Sequence, residues 1–294
     1  MKLIEVAIIG AGPAGIAAAI QCRRYDFKTI VFEKAQIGGL LVNANLVENY
    51  PGFPKGITGP NLVKQFMAHL QSAGITVCFE TVSKIDYTDN LFSVSTSNRK
   101  IKAKYVILAS GTRPKISEIP IKKNIRTQVY YDVYALKDLK GKQIVIVGAG
   151  DAAFDYALNL ARQNRVILLN RGSRVKCLPL LWRRVQSVVA ITYRENITVT
   201  QINPAPGGGL YLSCKSPSGK IDISATCLVF AIGRTPERSF LSERIIAEKS
   251  QLRSNGLLYF AGDVQNGLMR QSTIAVADGI KAAMTIYKNS REPV

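Results

Sequence analysis

The chain has 294 residues, 47% apolar and 20% charged, a globular balance whose length suits two domains of about 100–200 residues rather than one. No run of about 18 apolar residues occurs, and the start carries no charged and then apolar leader, so a membrane span and a signal peptide are both unexpected and the expected location is the cytoplasm. Lys and Arg total 39 against 20 Asp and Glu; the excess is spread along the chain, which leaves open a generally basic surface or a docking face for an acidic partner.

The first unit of the chain reads strand, glycine turn, helix, strand. "VAIIG" is a short apolar strand, Gly10-x-Gly12-x-x-Gly15 is the turn, "PAGIAAAIQCRRY" has helical spacing and "KTIVFEK" is the next strand. The glycines serve a tight turn, the approach of a pyrophosphate and close helix-to-strand packing. The helix N-terminus presents unpaired N–H groups to phosphate. Glu33 closes the second strand, where a carboxylate accepts hydrogen bonds from a ribose 2′-hydroxyl. A helix is expected over 59–74, with strands in "TVSKIDYTDNLFSVSTS", turning at Asp89-Asn90, and in 102–111.

A second unit repeats the pattern. "KQIVIVG" is its strand, Gly148-x-Gly150-x-x-Ala153 its turn, "DAAFDYALNLARQ" its helix and "RVILLN" its second strand. Where Glu33 stands in the first unit, Asn170 stands here, followed by Arg171 and Arg174. A carboxylate there would repel a 2′-phosphate and a guanidinium would bind one. The first cradle therefore suits FAD or NAD and the second NADPH, unless the two arginines merely belong to a basic surface. The Pro-containing polar segments 112–120 and 233–240 bracket the second cradle as linkers. The expected class is α/β, with two Rossmann-like dinucleotide-binding domains, the second (117–243) inserted into the first (1–116 and 244–294).

These motifs, together with "IGGLLVNANLVENYPGFP", "LASGTRP", "FAIGRTPE" and "FAGDVQNGLMRQSTIAVADGIKAA", resemble in order and over nearly the whole chain the low-molecular-weight thioredoxin reductase superfamily. The resemblance implies FAD in the discontinuous domain, NADPH in the inserted one, and a homodimer. It implies that Gly10, Gly12, Pro13, Ala14 and Gly15 hold the FAD pyrophosphate, with Glu33 and Lys34 at the ribose. Gly39, Leu40, Leu41 and Asn49 would lie near the isoalloxazine, Gly262 and Asp263 at the ribityl or phosphate end, and Arg270 and Gln271 beside the ring. Val82, Ser110 and Gly111 join the FAD set. Gly148, Gly150, Asp151, Ala152, Ala153, Asn170, Arg171, Arg174 and Gly233 form the NADP set. No catalytic side chain and no metal site is implied, since the flavin carries the chemistry.

One element of the pattern is missing. The family's Cys-x-x-Cys-Asp is replaced by Gln128 to Tyr131 before Asp132, and the five cysteines lie far apart in sequence. Thiol–disulfide exchange at that position is impossible without an attacking thiolate, and the odd, scattered set also argues against a disulfide framework or a zinc site. The segment "YYDVYALKDLKGKQIVIVGAGDAAFDYA" looks more like the ferredoxin/flavodoxin–NADP reductases, which lack the dithiol, and implies an acidic electron carrier as partner. Against that branch, the chain closes on "MTIYKNSREPV" without an aromatic extension, and Asn170-Arg171-Gly172 keeps one residue of the family's three-residue phosphate signature. Two alternatives stand beside this reading: a flavoprotein that does not use NADPH and exchanges electrons with another donor or a thiol/disulfide partner, and a non-enzymatic flavin-based sensor. Nucleic acid is not an expected partner. His69 reads as a structural helix residue, and Tyr130, Tyr131 and Tyr134 as packing. Cys177 lies close to Arg171 and Arg174 and could have thiolate character. Trp182 with Arg183 and Arg184 reads as a docking element or as an amphipathic surface helix.

Overall fold

The computed structural model describes residues 3–291. By its own contacts the chain divides into two compact units. The first takes the chain up to Val42, Val47–Arg113 and everything from Thr235 onward; the second takes Asn43–Leu46 and Pro114–Arg234.

The chain begins with β1 (Leu3–Ile9), α1 (Pro13–Arg24) and β2 (Thr29–Glu33). A 3₁₀ turn at Gly39–Asn43 precedes α2 (Gly59–Ser72). Then come β3 (Val77–Phe79), β4 (Val82–Thr88), β5 (Leu91–Thr96), β6 (Lys100–Leu108) and β7 (Thr112–Pro114). Within the second unit follow β8 (Val129–Tyr130), β9 (Gln143–Val147), α3 (Asp151–Leu160), β10 (Arg165–Leu169), α4 (Pro179–Gln186) and β11 (Ile191–Arg194). The strands β12 (Thr198–Pro204), β13 (Leu210–Ser216), β14 (Gly219–Ala225) and β15 (Cys227–Phe230) complete it. The chain returns through β16 (Arg234–Pro236) to α5 (Glu243–Ser254), β17 (Leu258–Phe260) and α6 (Ser272–Arg291).

In the first unit the sheet order is β3-β2-β1-β6-β5-β4, with β17 also paired to β6. The strands β1, β2, β3, β6 and β17 run parallel, and Ile8 lies opposite both Val31 and Ile107. Central parallel strands are covered on both faces, which is why β1 carries a continuous apolar run, Val6–Ile9, rather than an alternating one. The hairpin β4–β5 turns at Asp89 and Asn90, both at positive φ (53° and 59°), the backbone that a two-residue hairpin loop requires and that Asp and Asn tolerate. Pro13 starts α1 at a position needing no N–H, and Arg23 and Arg24 sit in its last turn, where cations complement the dipole. Thr58 and Ser242 cap α2 and α5 through their hydroxyls.

The second unit holds a parallel sheet, β11-β10-β9-β15-β8, and an antiparallel three-stranded sheet, β12-β13-β14. The core between β9, α3 and α4 is aromatic: Phe154, Trp182 and Tyr193 meet edge-on or tilted at 5.0–6.0 Å.

Two expectations need correction. Residues 112–114 and 234–236, expected within irregular linkers, pair with each other as the two-stranded sheet β16-β7, because two neighbouring extended segments satisfy one another's backbone groups. Residues 235–243, expected with the insert, belong to the first unit. The Ile85 N–H donates to the Phe240 carbonyl, and the Ser242 hydroxyl donates to Asp86 Oδ1 at 2.8 Å, so β4 fixes this stretch before α5 begins.

Candidate functional site

The first cradle lies where β1 passes into α1. Gly10 has φ +107°, and a side chain there would run into the Ala109 carbonyl at the end of β6. No non-Gly residue combines that backbone with that approach. A Cβ on Gly15 would meet the Gly10 carbonyl, so α1 is held directly against the strand end, whereas Gly12 faces open space. Glu33, 8% exposed, accepts from the Ala11 N–H through Oε2 at 2.8 Å and from the Ala35 N–H through Oε1 at 2.9 Å. Each oxygen keeps a further lone pair for a hydroxyl. Lys34 beside it is exposed. The Gly38–Gly39 turn closes over the cradle, the Gly38 N–H donating to the Ala11 carbonyl at 2.7 Å, and Leu40 and Leu41 follow in the 3₁₀ turn.

Distant segments complete this site within the first unit. Ser110 Oγ donates to the Glu237 carbonyl at 2.7 Å, and the Glu237 N–H donates to the Gly111 carbonyl at 3.0 Å. Asn49 Nδ2 donates to Gln271 Oε1 at 2.8 Å, joining residues 222 apart in sequence. Asn49 also lines an open cavity of about 290 Å³ in the 48–54 turn. Gly262 and Asp263 form a 3₁₀ turn at the foot of α6. Asp278 holds that turn: its Oδ2 accepts from the Gly262 N–H at 2.9 Å and from Asn266 Nδ2 at 2.7 Å. Above it, α6 crosses α1 so closely that a Cβ on Gly279 would strike the Ala14 carbonyl. Arg270 Nε is buried with no hydrogen-bond partner among the described residues, an unmet donor of the kind a bound group satisfies. Val82 buries its side chain in the sheet core, so only its backbone could serve the set.

The second cradle repeats this construction where β9 passes into α3. A Cβ on Gly148, φ +156°, would lie 2.5 Å from the Ala231 carbonyl, and Gly150 faces open space. Ala153 stands where Gly15 stands in the first cradle and is fully buried; Ala152 beside it is exposed. Asn170 spends its side chain on the loop that follows β10. Its Nδ2 donates to the Arg174 carbonyl at 3.1 Å and to the Tyr193 hydroxyl at 3.0 Å, and its Oδ1 accepts from the Gly172 N–H at 3.2 Å. This loop is drawn onto the glycine turn, because the Lys176 N–H donates to the Ala149 carbonyl at 2.9 Å and Lys176 bridges Gly150. Asp151 Oδ1 accepts from the Leu178 N–H at 2.7 Å. Arg171, Arg174 and Lys176 are all exposed on a loop tied to the cradle. Gly233 (φ +108°) follows β15, its carbonyl accepting from the Lys115 N–H at 3.0 Å.

Sequence reasoning missed Lys176 and Asp278. Lys176 had a signal, a third cation close behind Arg171 and Arg174; Asp278 had none beyond being an acid inside an otherwise apolar helix stretch. His69 is exposed on α2, and no contact brings it to either cradle. Tyr130 lies in β8, and Tyr131 stacks on Phe230 at 5.7 Å while its hydroxyl accepts from the Ser117 N–H. The backbone N–H groups of Val133 and Tyr134 donate to Asn43 Oδ1.

The thiolate character considered for Cys177 is corrected: burial first, and then Asp151, push its thiol up. Burial likewise raises Cys22 to about 12 and Cys214 and Cys227 to about 11. All five cysteines are free, and no two of them stand at Cys-x-x-Cys spacing. No group of three or more His, Cys, Asp or Glu among the described residues is arranged to hold a metal ion, and no described helix is long and apolar enough to cross a membrane.

The family model for pyridine nucleotide-disulphide oxidoreductases matches residues 4–279, which takes in both cradles. The chain belongs to that family. It is 31% identical to the NADPH-dependent thioredoxin reductase 3 of Arabidopsis thaliana over 97% of this chain and 58% of that one. It therefore spans a little over half of that relative. It is 28% identical to the thioredoxin reductase of Bacillus subtilis over 97% of this chain and 94% of the other. Among solved structures, the thioredoxin reductase of T. acidophilum is 28% identical and superposes with a TM-score of 0.85, covering 99% of this chain and all of that one. Thioredoxin reductases of this family use FAD and NADPH. The two glycine cradles, Glu33, the unmet Arg270 donor and the cationic 171–176 loop fit those groups.

Proposed function

We propose that this oxidoreductase takes a hydride from NADPH onto FAD and delivers electrons to a separate protein carrier, an acidic ferredoxin or flavodoxin, without an internal dithiol. The observation that carries the reading is the pairing of two complete cradles with a sequence that has no Cys-x-x-Cys. Bound flavin supplies the chemistry, accepting an electron pair and releasing it singly.

The chain's own residues bind and orient. Gly10, Gly12 and the α1 N-terminus receive the FAD pyrophosphate, Glu33 the ribose, and Arg270, Gln271 and Asn49 the ring's polar edge. In the inserted unit Gly148 and Gly150 receive the NADPH pyrophosphate, and Arg171, Arg174 and Lys176 the 2′-phosphate. Burial of Cys22, Cys177, Cys214 and Cys227, which pushes those thiols up, supports a route that avoids them, because a protonated thiol does not attack a disulfide. A homodimer in the cytoplasm belongs to the same reading.

An anaerobic titration of the flavin-loaded protein with NADPH, and separately with NADH, tests it. Bleaching of the flavin by NADPH, followed by reoxidation on adding an acidic flavodoxin, is the expected result. The names of the relatives favour a second reading, an external thioredoxin-type disulfide as acceptor. Reoxidation by oxidised thioredoxin and not by flavodoxin would establish that one instead. No bleaching by either nucleotide would retire both.

A further inference from the structure

From Tyr156 to Arg194 the sequence carries eight Lys and Arg and no Asp or Glu. The 2′-phosphate of a nucleotide employs at most the three cations on the 171–176 loop. Arg162 is otherwise occupied, donating to Asn45 Oδ1 at 2.5 Å. Of the rest, Arg183 lies on α4 and Arg194 ends β11.

The inner face of α4 is spent on the core: Val185 is buried, and Leu181 and Trp182 pack against the Phe154 cluster. The outer face carries Leu180 and, one turn on, Arg183, both exposed. Leu178, just before the helix, is 55% exposed and Leu180 39%. These two apolar side chains have a defined setting. The Leu178 N–H is fixed to Asp151 at the start of α3, and Lys176 is fixed to the glycine turn. They therefore sit at the carboxyl edge of the parallel sheet with exposed Arg171, Arg174 and Lys176. Arg194 is exposed at the same edge, where its carbonyl accepts from the Asn170 N–H at 2.9 Å. Glu195 is the first acid beyond it.

We propose that this α4 corner of the second unit is the docking surface for an acidic electron-carrier protein, with Leu178 and Leu180 as anchors beside the exposed Arg183 and Arg194. The inference deepens the carrier reading above and rests on it. Apolar side chains gain by leaving water at the centre of a contact, and surrounding charges of one sign steer a partner of the other. Nucleic acid fits the surface less well. Single strands stack on exposed aromatic faces, and the one tryptophan here is turned inward, edge-on to Phe154 and Tyr193.

The test uses the flavin-loaded full chain and an acidic flavodoxin, with Kd measured by calorimetry on both oxidised proteins at low and at physiological salt. The expected result is salt-sensitive binding that Leu180→Ser and Arg183→Glu each weaken about tenfold. Lys220→Glu, in the antiparallel sheet of the same unit, should leave it unchanged. Flavin bleaching by NADPH should be the same in all three variants, which also reports that they are folded. Binding of both α4 variants at wild-type strength, or equal loss in Lys220→Glu, would overturn the proposal. So would no flavodoxin binding by the wild type, or tighter binding of a single-stranded oligonucleotide that Leu180→Ser leaves intact. Because binding is read without turnover, failure of NADPH to bleach the flavin would strike the functional reading and leave the docking result standing.

Discussion

The two cradles share a backbone and differ in what confronts the ligand. In both, a glycine ends the first strand against a carbonyl of a neighbouring one, Ala109 for Gly10 and Ala231 for Gly148. After the second strand they diverge. Glu33 is buried and wired to two backbone N–H groups; Asn170 is also buried, but its side chain is used up in shaping a loop that holds three cations out to solvent. One proposed recognition element is part of the core and the other is displayed by it. The first should therefore resist change until the fold fails, and the second should be tunable without touching the fold.

The largest effect should come from separating fold from cofactor in the first cradle. Gly10→Val forces a branched side chain into a backbone carbonyl at positive φ, and the expected outcome is loss of soluble, flavin-bearing protein. Gly12→Ala meets no protein atom, so it should fold with little change in Tm yet carry much less flavin, measured as flavin absorbance per protein. A Gly12→Ala protein with full flavin content would break the assignment.

The second cradle should respond more selectively. Replacing Arg171 and Arg174 together by Ala removes charge-assisted contacts worth about 1.5–3 kcal/mol each. The KM for NADPH should rise by at least about tenfold while that for NADH stays nearly constant. An equal rise for both nucleotides would remove these arginines from the 2′-phosphate.

A smaller effect is expected at Asp155, on α3. Burial raises its carboxyl to about 6, although the N–H groups of Asn45 and Leu46 and the charges of Arg162 and Arg184 oppose the rise. A carboxyl that binds its proton more tightly folded than unfolded makes the protein lose stability as pH rises from the unfolded value near 4 to about 6, with the deficit constant above. Asp155→Asn should flatten that slope and stabilise the protein at pH 7 by on the order of 1–3 kcal/mol. Urea unfolding at pH 4.5 and pH 7 measures both. The smallest effect, none, is expected from alkylating the cysteines of the native protein under NADPH-driven flavin reduction, since no thiol serves the route. Inactivation would restore sulfur to the mechanism.

Contiguous signals were the legible ones. Gly10, Gly12, Gly15 and Glu33 fall within one strand–turn–helix–strand unit, and so do Gly148, Gly150 and the two arginines. At Gly10, Gly15 and Gly148 the signal is a local geometric need, a close backbone approach that leaves no room for a side chain. What stayed hidden depends on contacts between distant segments. Asp278 reads as one acid in a helix until the Gly262 turn is folded under it. The segment Asn43–Leu46 carries no mark of belonging to the second unit, yet Asn43 accepts two N–H groups from Val133 and Tyr134 and the Asn45 N–H donates to Asp155. The pairing of β7 with β16 was masked by their prolines, because Pro discourages a strand assignment except at the edges, where these strands lie.

The tight crossing of α6 over α1 also sets a timetable during synthesis. Gly279 and Asp278 leave the ribosome well over a hundred residues after the inserted unit has begun, so that unit has all its strands available while the first is still missing β17 and α6. Until α6 arrives, the small-residue face of α1 that it covers stands open. The nascent chain would thus gain its nucleotide-binding insert first and its flavin last, and the interval between them is when it is most exposed to misassembly and most dependent on chaperones.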